Sequence, residues 1–289
     1  MKLNEAKINY IIRKMKSGSS TRQIGEDLKI SHERVRQIYK IYCQTGEIPK
    51  IQRVGRPKEF LTETDINLII TSFLKYRVSA SILRKIIKHE NDISINHNKI
   101  HEILLKNNMA KIEPNRSRKR KPWIRYEREQ SLSAVHIDWM YDEKIGKNIV
   151  AVIDDASRMI LAYGEFKSAS VKNTILVLKE ALKYGKIREV ITDRESQFTA
   201  NKTDKKGNFN SKFAEFCKVN GIKQILCRVK HPQSNGKIER WFGLYRQKRD
   251  LFPNLKEFVY WYNYVKPHLS LNFDELETPV QAFRRKFNN

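Results

Sequence analysis

Ala134-Val-His-Ile-Asp-Trp-Met140, Asn148-Ile-Val-Ala-Val-Ile-Asp-Asp155 and Met159-Ile-Leu-Ala-Tyr-Gly-Glu-Phe166 follow one another with only short polar breaks. Each run is short, apolar and rich in strand-forming residues. The breaks, Tyr141 to Lys147 with Asp142 and Gly146, and then Ser157-Arg158, carry turn residues. The spacing predicts an antiparallel three-stranded meander. Downstream the pattern alternates: a helix over 171–184, a short buried strand over 189–193, a helix over 211–220, a strand over 222–226 and a helix opening at Gly236. Antiparallel strands followed by alternating helix and strand imply an α/β unit, a mixed five-stranded sheet with helices on both faces.

Two acids interrupt this apolar pattern. Asp138 lies in the middle of the first strand and Asp193 at the C-terminal end of the fourth. An acid within an apolar strand is costly to bury alone and calls for a cation. A third acid, Glu239, falls in the first turn of the helix that His231-Pro-Gln-Ser-Asn-Gly236 opens. Ile238, Trp241 and Tyr245 make one buried face of that helix, while Glu239, Phe242 and Arg246 share another. A lone Glu there equally suits the positive end of the helix dipole, so by itself it marks no site. Beside Asp138 and Asp193 it can supply a third oxygen ligand. Three carboxylates without His or Cys suit Mg²⁺ or Mn²⁺, not zinc. Two such ions, about 4 Å apart, can activate an attacking oxygen and stabilise the leaving oxygen of a phosphodiester. Asp138, Asp193 and Glu239 are therefore the expected catalytic and metal-binding residues, with two ions per active site.

The first third of the chain has a different texture. Helical patterns run over 4–16, from Thr21 as cap to Leu28, and from Ser31 to about Gln44, with Ile24, Leu28, Ile30, Val35 and Ile38 as shared core. This is a helix-turn-helix layout. Arg34, Arg36, Gln37 and Lys40 on its third helix are of the types that read bases or phosphates. A small helical core with no DNA role is the alternative. A basic linker with Arg56 follows. A second helix-turn-helix with room for a wing is expected from Thr62, Ser79 and Ser94 onward, with Asn98 and Lys99 facing DNA. A second basic strip then carries Arg118, Lys119, Arg120 and Lys121 between prolines, a phosphate-binding run as well as a linker. The expected organisation is thus multidomain: 1–46 and 61–111 as all-α helix-turn-helix units, 47–60 and 112–129 as linkers, 130–250 as catalytic core and 251–289 as a helical extension.

Charge points the same way. Lys and Arg number 57 against 32 Asp and Glu, a formal net charge of +25. An excess of this size indicates a polyanionic partner, here double-stranded DNA, although Lys-rich composition can also reflect genome bias. No apolar run is long enough to span a membrane, the N-terminus lacks a signal-peptide core, and the three cysteines have no paired spacing. A cytoplasmic, DNA-associated prokaryotic protein with no membrane partner is expected.

Around the core, Asp154 and Asp155 read as an acidic pair satisfying turn amides. His136 shares a strand face with Asp138, which leaves a supporting role open. Gln197, Gln233 and Asn235 flank the acids and are candidates to touch substrate DNA. Lys237, Arg240 and Arg246 are expected to meet phosphates, with a solvated helix face as the alternative. Trp241, Tyr245, Trp261, Tyr262 and Tyr264 read as core.

These residues resemble the integrase core of retroviral integrases and insertion-sequence transposases. The likeness lies in Val135-His-Ile-Asp138-Trp, Ile153-Asp-Asp-Ala-Ser-Arg158, Thr192-Asp193-Arg-Glu-Ser-Gln-Phe198 and His231-Pro-Gln-Ser-Asn-Gly-Lys-Ile-Glu239-Arg. It continues into Trp261-Tyr-Asn-Tyr-Val-Lys-Pro-His268 and Thr278-Pro279. The resemblance implies a ribonuclease-H-like fold, an Asp138–Asp193–Glu239 metal triad, and a DDE-type transposase. Such an enzyme cleaves and joins strands at terminal inverted repeats and in target DNA, as a dimer or higher assembly. Two departures stand out. The 45 residues between Asp193 and Glu239 exceed the family's usual spacing, which fits a hydrophilic insertion over 200–208. Glu195 stands where the family usually has Gly, an extra acid two residues from Asp193. A transposase-derived DNA-binding regulator without catalysis and a structure-specific RNase-H-like nuclease are the competing expectations.

Overall fold

The computed structural model describes residues 3–49, 60–111, 127–199, 211–227 and 235–287. Arg56, the strip with Arg118, Lys119, Arg120 and Lys121, the 200–208 insertion and Gln233 lie outside the described residues. The chain divides into two compact units, Met1–Leu61 and Thr62–Asn289.

In the first unit, α1 (Glu5–Lys16), α2 (Thr21–Leu28) and α3 (His32–Thr45) bury Ile8, Ile11, Ile12, Ile24, Val35 and Ile38. Leu28 and Ile30 pack against them. The sequence assigns the α2 cap to Thr21. The structure assigns it to Ser20, whose Oγ accepts the Gln23 N–H at 3.2 Å, and Thr21 becomes the first helical residue. Ser31 caps α3 in the same way. The turn between α2 and α3 requires Lys29 at φ 53° and brings the Ile30 carbonyl over Gly25. A Cβ at Gly25 would lie 2.8 Å from that oxygen, so only glycine allows the two helices to close at this angle.

The second unit opens with α4 (Glu63–Tyr76), α5 (Ala80–Asn91) and α6 (His97–Lys106), around buried Ile69, Phe73, Leu83, Ile86, Ile87, Ile100 and Leu104. Thr62 and Asp65 close a capping box at α4. Asn96 caps α6, its side chain accepting the Asn98 N–H at 2.9 Å. No strand occurs among the described residues of 60–111, so no wing is present there.

The sheet has the order β3-β2-β1-β4-β5, from β1 (Ala134–Asp142), β2 (Lys147–Asp154), β3 (Ile160–Phe166), β4 (Glu189–Thr192) and β5 (Lys223–Leu226). β1 to β3 form the antiparallel meander, while β4 runs parallel to β1 and β5 parallel to β4. β1 extends two residues into the stretch read as a turn, since Asp142 pairs with Lys147.

The strand's period of two sorts its side chains. Val135 and Ile137 face a core shared with α7 (Val171–Leu182), α8 (Lys212–Val219) and α11 (Pro279–Phe287). The next odd residue, Trp139, donates its indole N–H to Thr174 of α7 at 3.0 Å. His136, Asp138 and Asp142 fall on the other face, which is covered by α9 (Gly236–Lys248). Behind α9, Trp241, Tyr245, Trp261 and Tyr262 are buried as expected; Tyr264 is not, and stacks on Tyr260 at the surface.

α10 (Leu255–Tyr260) runs on through a π turn, Trp261–Val265, whose buried Asn263 both donates to and accepts from the Ile160 backbone at 2.9 Å. The same turn anchors the α4–α6 helices: the Trp261 indole N–H donates to the Tyr76 carbonyl at 2.6 Å, and Arg77 lies over the Phe252 ring at 5.0 Å. These contacts hold 62–111 and the α/β core in one compact unit. No single helix among the described residues is long and apolar enough to cross a membrane.

Gly25→Ala is expected to destabilise the first unit by roughly 1–3 kcal/mol, because the Ile30 carbonyl is backbone and cannot rotate away. Hydrogen exchange of the α3 amides measures this, and protection equal to wild type would refute the packing argument.

Candidate active site

Parallel pairing of β1 and β4 decides where two of the acids meet. His136 is opposite Ile191. Asp138 lies two residues past His136 on β1, and Asp193 two residues past Ile191, immediately after the end of β4 at Thr192, so both acids sit just beyond the paired stretch on neighbouring parallel strands. Asp138 is 9% exposed. Its Oδ1 accepts the Trp139 N–H at 2.8 Å and its Oδ2 the Asn235 side-chain N–H at 2.8 Å. Asp193 is half-buried just past β4 and accepts the Glu195 N–H at 3.0 Å.

The third acid comes from α9, which is fastened along β1 at three points. Asn235, just before the helix, bonds Asp138. Lys237 pairs with Asp155, which also accepts or shares a proton with His136 Nε2 at 2.8 Å. At the far end, Tyr245 Oη at 2.9 Å and Arg249 at 2.7 Å donate to Asp142. Glu239 is thereby held in the first turn, exposed, on the side of the acids.

The electrostatics show that the acids share one neighbourhood. Burial pushes the Asp138 carboxyl up to about 7; the Trp139 amide opposes this, and the charges of Asp193, Glu195 and Glu239 add to it. Burial also raises Asp193, with the Glu195 amide opposing and the Glu195 charge contributing. Among the described residues, however, no three His, Cys, Asp or Glu side chains stand close enough to hold a metal ion. Like charges repel, and Asp138 and Asp193 are each engaged by an N–H donor instead. The donor chemistry still fits a hard divalent cation. The acids offer only oxygen, His136 turns its Nε2 to Asp155, and the Asn235 Oδ1 is buried beside Asp138 with no partner.

Other expected site residues distribute unevenly. Arg34, Arg36, Gln37 and Lys40 are exposed on α3, Asn98 is exposed and Lys99 half-buried on α6, and Arg240 and Arg246 are exposed on α9. Asn235 is buried against Asp138, and Lys237 is mostly buried in its ion pair. Of the acidic pair, Asp154 does satisfy turn groups, accepting from the Leu132 N–H and from both the N–H and hydroxyl of Ser157. Asp155 also takes one amide, that of Arg128 at 2.8 Å, but its main work is joining β1 to α9. Burial would raise its carboxyl, yet His136 and Lys237 outweigh burial and hold it well below the ordinary range. The sequence signal available for this was the shared strand face of His136 and Asp138. Nothing local pointed to Asp142 as the far anchor.

A model of the integrase core domain matches residues 128–232, spanning Asp138 and Asp193 and ending before Glu239. A protein of Archaeoglobus fulgidus described only as uncharacterized is 30% identical over 105 residues, 36% of this chain and 82% of that protein. Residues 128–232 carry an integrase core domain. The chain is also 30% identical over 139 residues to the protein described as "Putative integrase ORF3" of Spiroplasma virus SpV1-C74, over 42% of this chain and 38% of the length of that relative. A crystal structure of the catalytic core domain of BIV integrase aligns with a TM-score of 0.41 and 14% identity, over 53% of this chain and 94% of that one. The strand order and mixed pairing of the sheet are those of the ribonuclease-H-like fold expected from the sequence. Integrase cores are polynucleotidyl transferases that serve DNA integration or transposition in general, and such domains generally use divalent metals.

Two outcomes follow from this geometry. An acid whose carboxyl is raised in the folded state destabilises that state as pH climbs from the unfolded value, near 4, to about 7, and the penalty levels off above that. Asp138→Asn should therefore stabilise the fold at pH 8 by on the order of a few kcal/mol, read as a melting temperature above that of wild type, and leave the melting temperature equal to wild type at pH 3.5. Equal melting temperatures at both pH values would contradict the burial argument. Asp155→Asn should cost roughly 3–5 kcal/mol by stranding Lys237, and Lys237→Met in the same chain should recover part of it. Denaturant titration of the single and double variants measures the coupling; strict additivity would show that the pair is not an anchor.

Proposed function

We propose that this chain is a DDE-type DNA transposase or integrase in which Asp138, Asp193 and Glu239 hold two Mg²⁺ or Mn²⁺ ions. One observation supports the reading: Asp138 and Asp193 each follow the His136–Ile191 pair of the parallel strands by two residues, and the Asn235 and Lys237 contacts fasten the start of the helix that carries Glu239, whose charge acts on Asp138. When bound, the ions supply the positive charge that lowers repulsion between a phosphodiester and an attacking oxygen. The protein's own residues do the positioning. Asn235 fixes the Asp138 carboxylate, Asp155 and Asp142 hold α9 in register, and the water-poor pocket around Asp138 strengthens the field of every charge placed there. In the first step water opens a phosphodiester at an element end, leaving a 3′-hydroxyl. In the second that hydroxyl attacks a target phosphodiester, forming a new P–O bond as the target's own P–O bond breaks, with no covalent link to the protein.

The exposed Arg34, Arg36, Gln37 and Lys40 on α3, with Asn98 and Lys99 on α6, support tandem helix-turn-helix reading of terminal inverted repeats. Arg240 and Arg246, exposed on α9, meet phosphates in this reading, and the basic residues Arg56, Arg118, Lys119, Arg120 and Lys121, with the polar Gln233, add further DNA contacts. Two element ends joined in concert call for a dimer or higher assembly on DNA.

The test is purified full chain with Mg²⁺ or Mn²⁺ and duplex DNA carrying the flanking repeats, scored for nicking and joining. Asp138→Asn, Asp193→Asn and Glu239→Gln should each lower both products by at least about 10²–10³-fold while DNA binding in EDTA is retained. If wild type and Glu239→Gln yield the same products, the triad is wrong. If wild type binds the repeats but makes no product with either metal, a DNA-binding regulator is the better description.

A further inference from the structure

A cleft of about 2040 Å³ opens between the α4–α6 helices and the side of α9 and the π turn that faces them. On α9 it is lined by Lys237, Arg240, Trp241, Leu244 and Lys248, one face at helical spacing. Asp138, Asp193 and Glu239 do not line it. The cleft is thus a separate surface from the carboxylate cluster, although both use α9.

Two of its lysines are unusual. Lys248 is half-buried with its ammonium 5.8 Å from the Phe73 ring of α4, and Lys266 is half-buried 5.7 Å from the Tyr262 ring, its ammonium facing the Pro267 carbonyl at 3.4 Å. Neither forms an ion pair with any carboxylate among the described residues. Burial lowers the Lys248 ammonium, and burial followed by the charge of Lys248 itself holds Lys266 down to about 8. Two half-buried lysines line one cleft with no carboxylate partner among the described residues, whereas buried charges are ordinarily paired. Aromatic faces offset only part of the lost hydration. A second observation comes from Arg158, which lines the same cleft. It is 6% exposed, one of its guanidinium nitrogens reaches Glu127 at 3.2 Å, and the other, Nη1, is buried with no partner.

We infer that this cleft is a phosphate-binding site in which Lys248 and Lys266 jointly take a backbone phosphate of a DNA strand that passes along α9, away from the carboxylate cluster. Two ammonium groups share one anion readily, and the anion removes the repulsion between them. The space is far larger than one phosphate requires, and Arg240 and Lys111 continue the positive lining, which suits a polymer rather than a free ion. The phosphate site stands on the unpaired cations alone; assigning its phosphate to DNA rests on the proposed function above.

The experiment uses the full chain in EDTA, so that no cleavage can occur, with a fluorescent duplex oligonucleotide at several salt concentrations. Lys248→Met and Lys266→Met should each weaken binding roughly 3–10-fold and reduce the slope of log affinity against log salt by about one. Each should leave the melting temperature without DNA unchanged or higher, because an uncompensated buried charge has been replaced by an apolar side chain of similar length. A double variant with wild-type affinity and salt slope overturns the proposal, as does a lower melting temperature, which would make the lysines structural. In a parallel arm inorganic phosphate or pyrophosphate is added to wild type. Stabilisation by phosphate combined with unaltered DNA affinity in the variants overturns the assignment to DNA. Since no metal is present, either failure is distinguishable from failure of the strand-joining assay.

Discussion

The Asp155 carboxylate is the joint on which the arrangement of this core depends. It reaches His136 on β1 and Lys237 on α9, so a single buried acid couples the central strand to the helix that carries Glu239. The pairing is favourable only because both partners are present: burial works against both charges, His136 and Lys237 together outweigh it at Asp155, and Asp155 offsets part of the burial and Arg158 repulsion at Lys237. Asp142 repeats the device at the opposite end of β1, with Tyr245 and Arg249 as its partners. Between the two joints the helix has little freedom to roll, and Glu239 is presented on one side as a result.

Electrostatic self-consistency explains why the acids differ so much in character. Asp155 is buried and remains charged because His136 and Lys237 both bond to it. Asp138 is buried on the same sheet face with only N–H donors for company and other acids nearby, and its carboxyl is driven upward. One environment is complete within the chain and the other is complementary to an added positive charge. Glu195 belongs to the second group, since its charge acts on both Asp138 and Asp193. The residue that departs from the family's usual glycine therefore adds to the demand for cations in the cluster.

Much of this was legible in the sequence, for an identifiable reason. Strand and helix limits in the core agree with the pattern to within a few residues because turn residues and alternation are local properties, and Asp138 and Asp193 stood out as acids that interrupt apolar strands, whereas Glu239 drew attention only beside them. The exceptions are long-range. Asp155 was read as a turn residue like Asp154, and its partner Lys237 as a phosphate contact, because a separation of 82 positions hides the ion pair. Asn235 was read as a DNA contact, whereas a bond to Asp138 buries it. The cap of α2 shifted by one position, from Thr21 to Ser20, a matter of which side chain captures a free N–H. The docking of α4–α6 on Trp261 left no trace in the sequence, since an indole N–H meeting a backbone carbonyl has no residue code on the accepting side.

The alternation along β1 also sets where this chain can change length. Val135, Ile137 and Trp139 belong to one side of the sheet, and His136, Asp138 and Asp142 to the other. Inserting or deleting a single residue within β1 would exchange the two sets, driving apolar groups toward α9 and every acid into the packing with α7. The surplus residues over 200–208 fall between β4 and α8, where parity is not at stake. Lengthening is free in the connections and forbidden in the spine, so the same fold can diverge widely in size while the spacing from His136 to Asp138 to Asp142 cannot drift by even one.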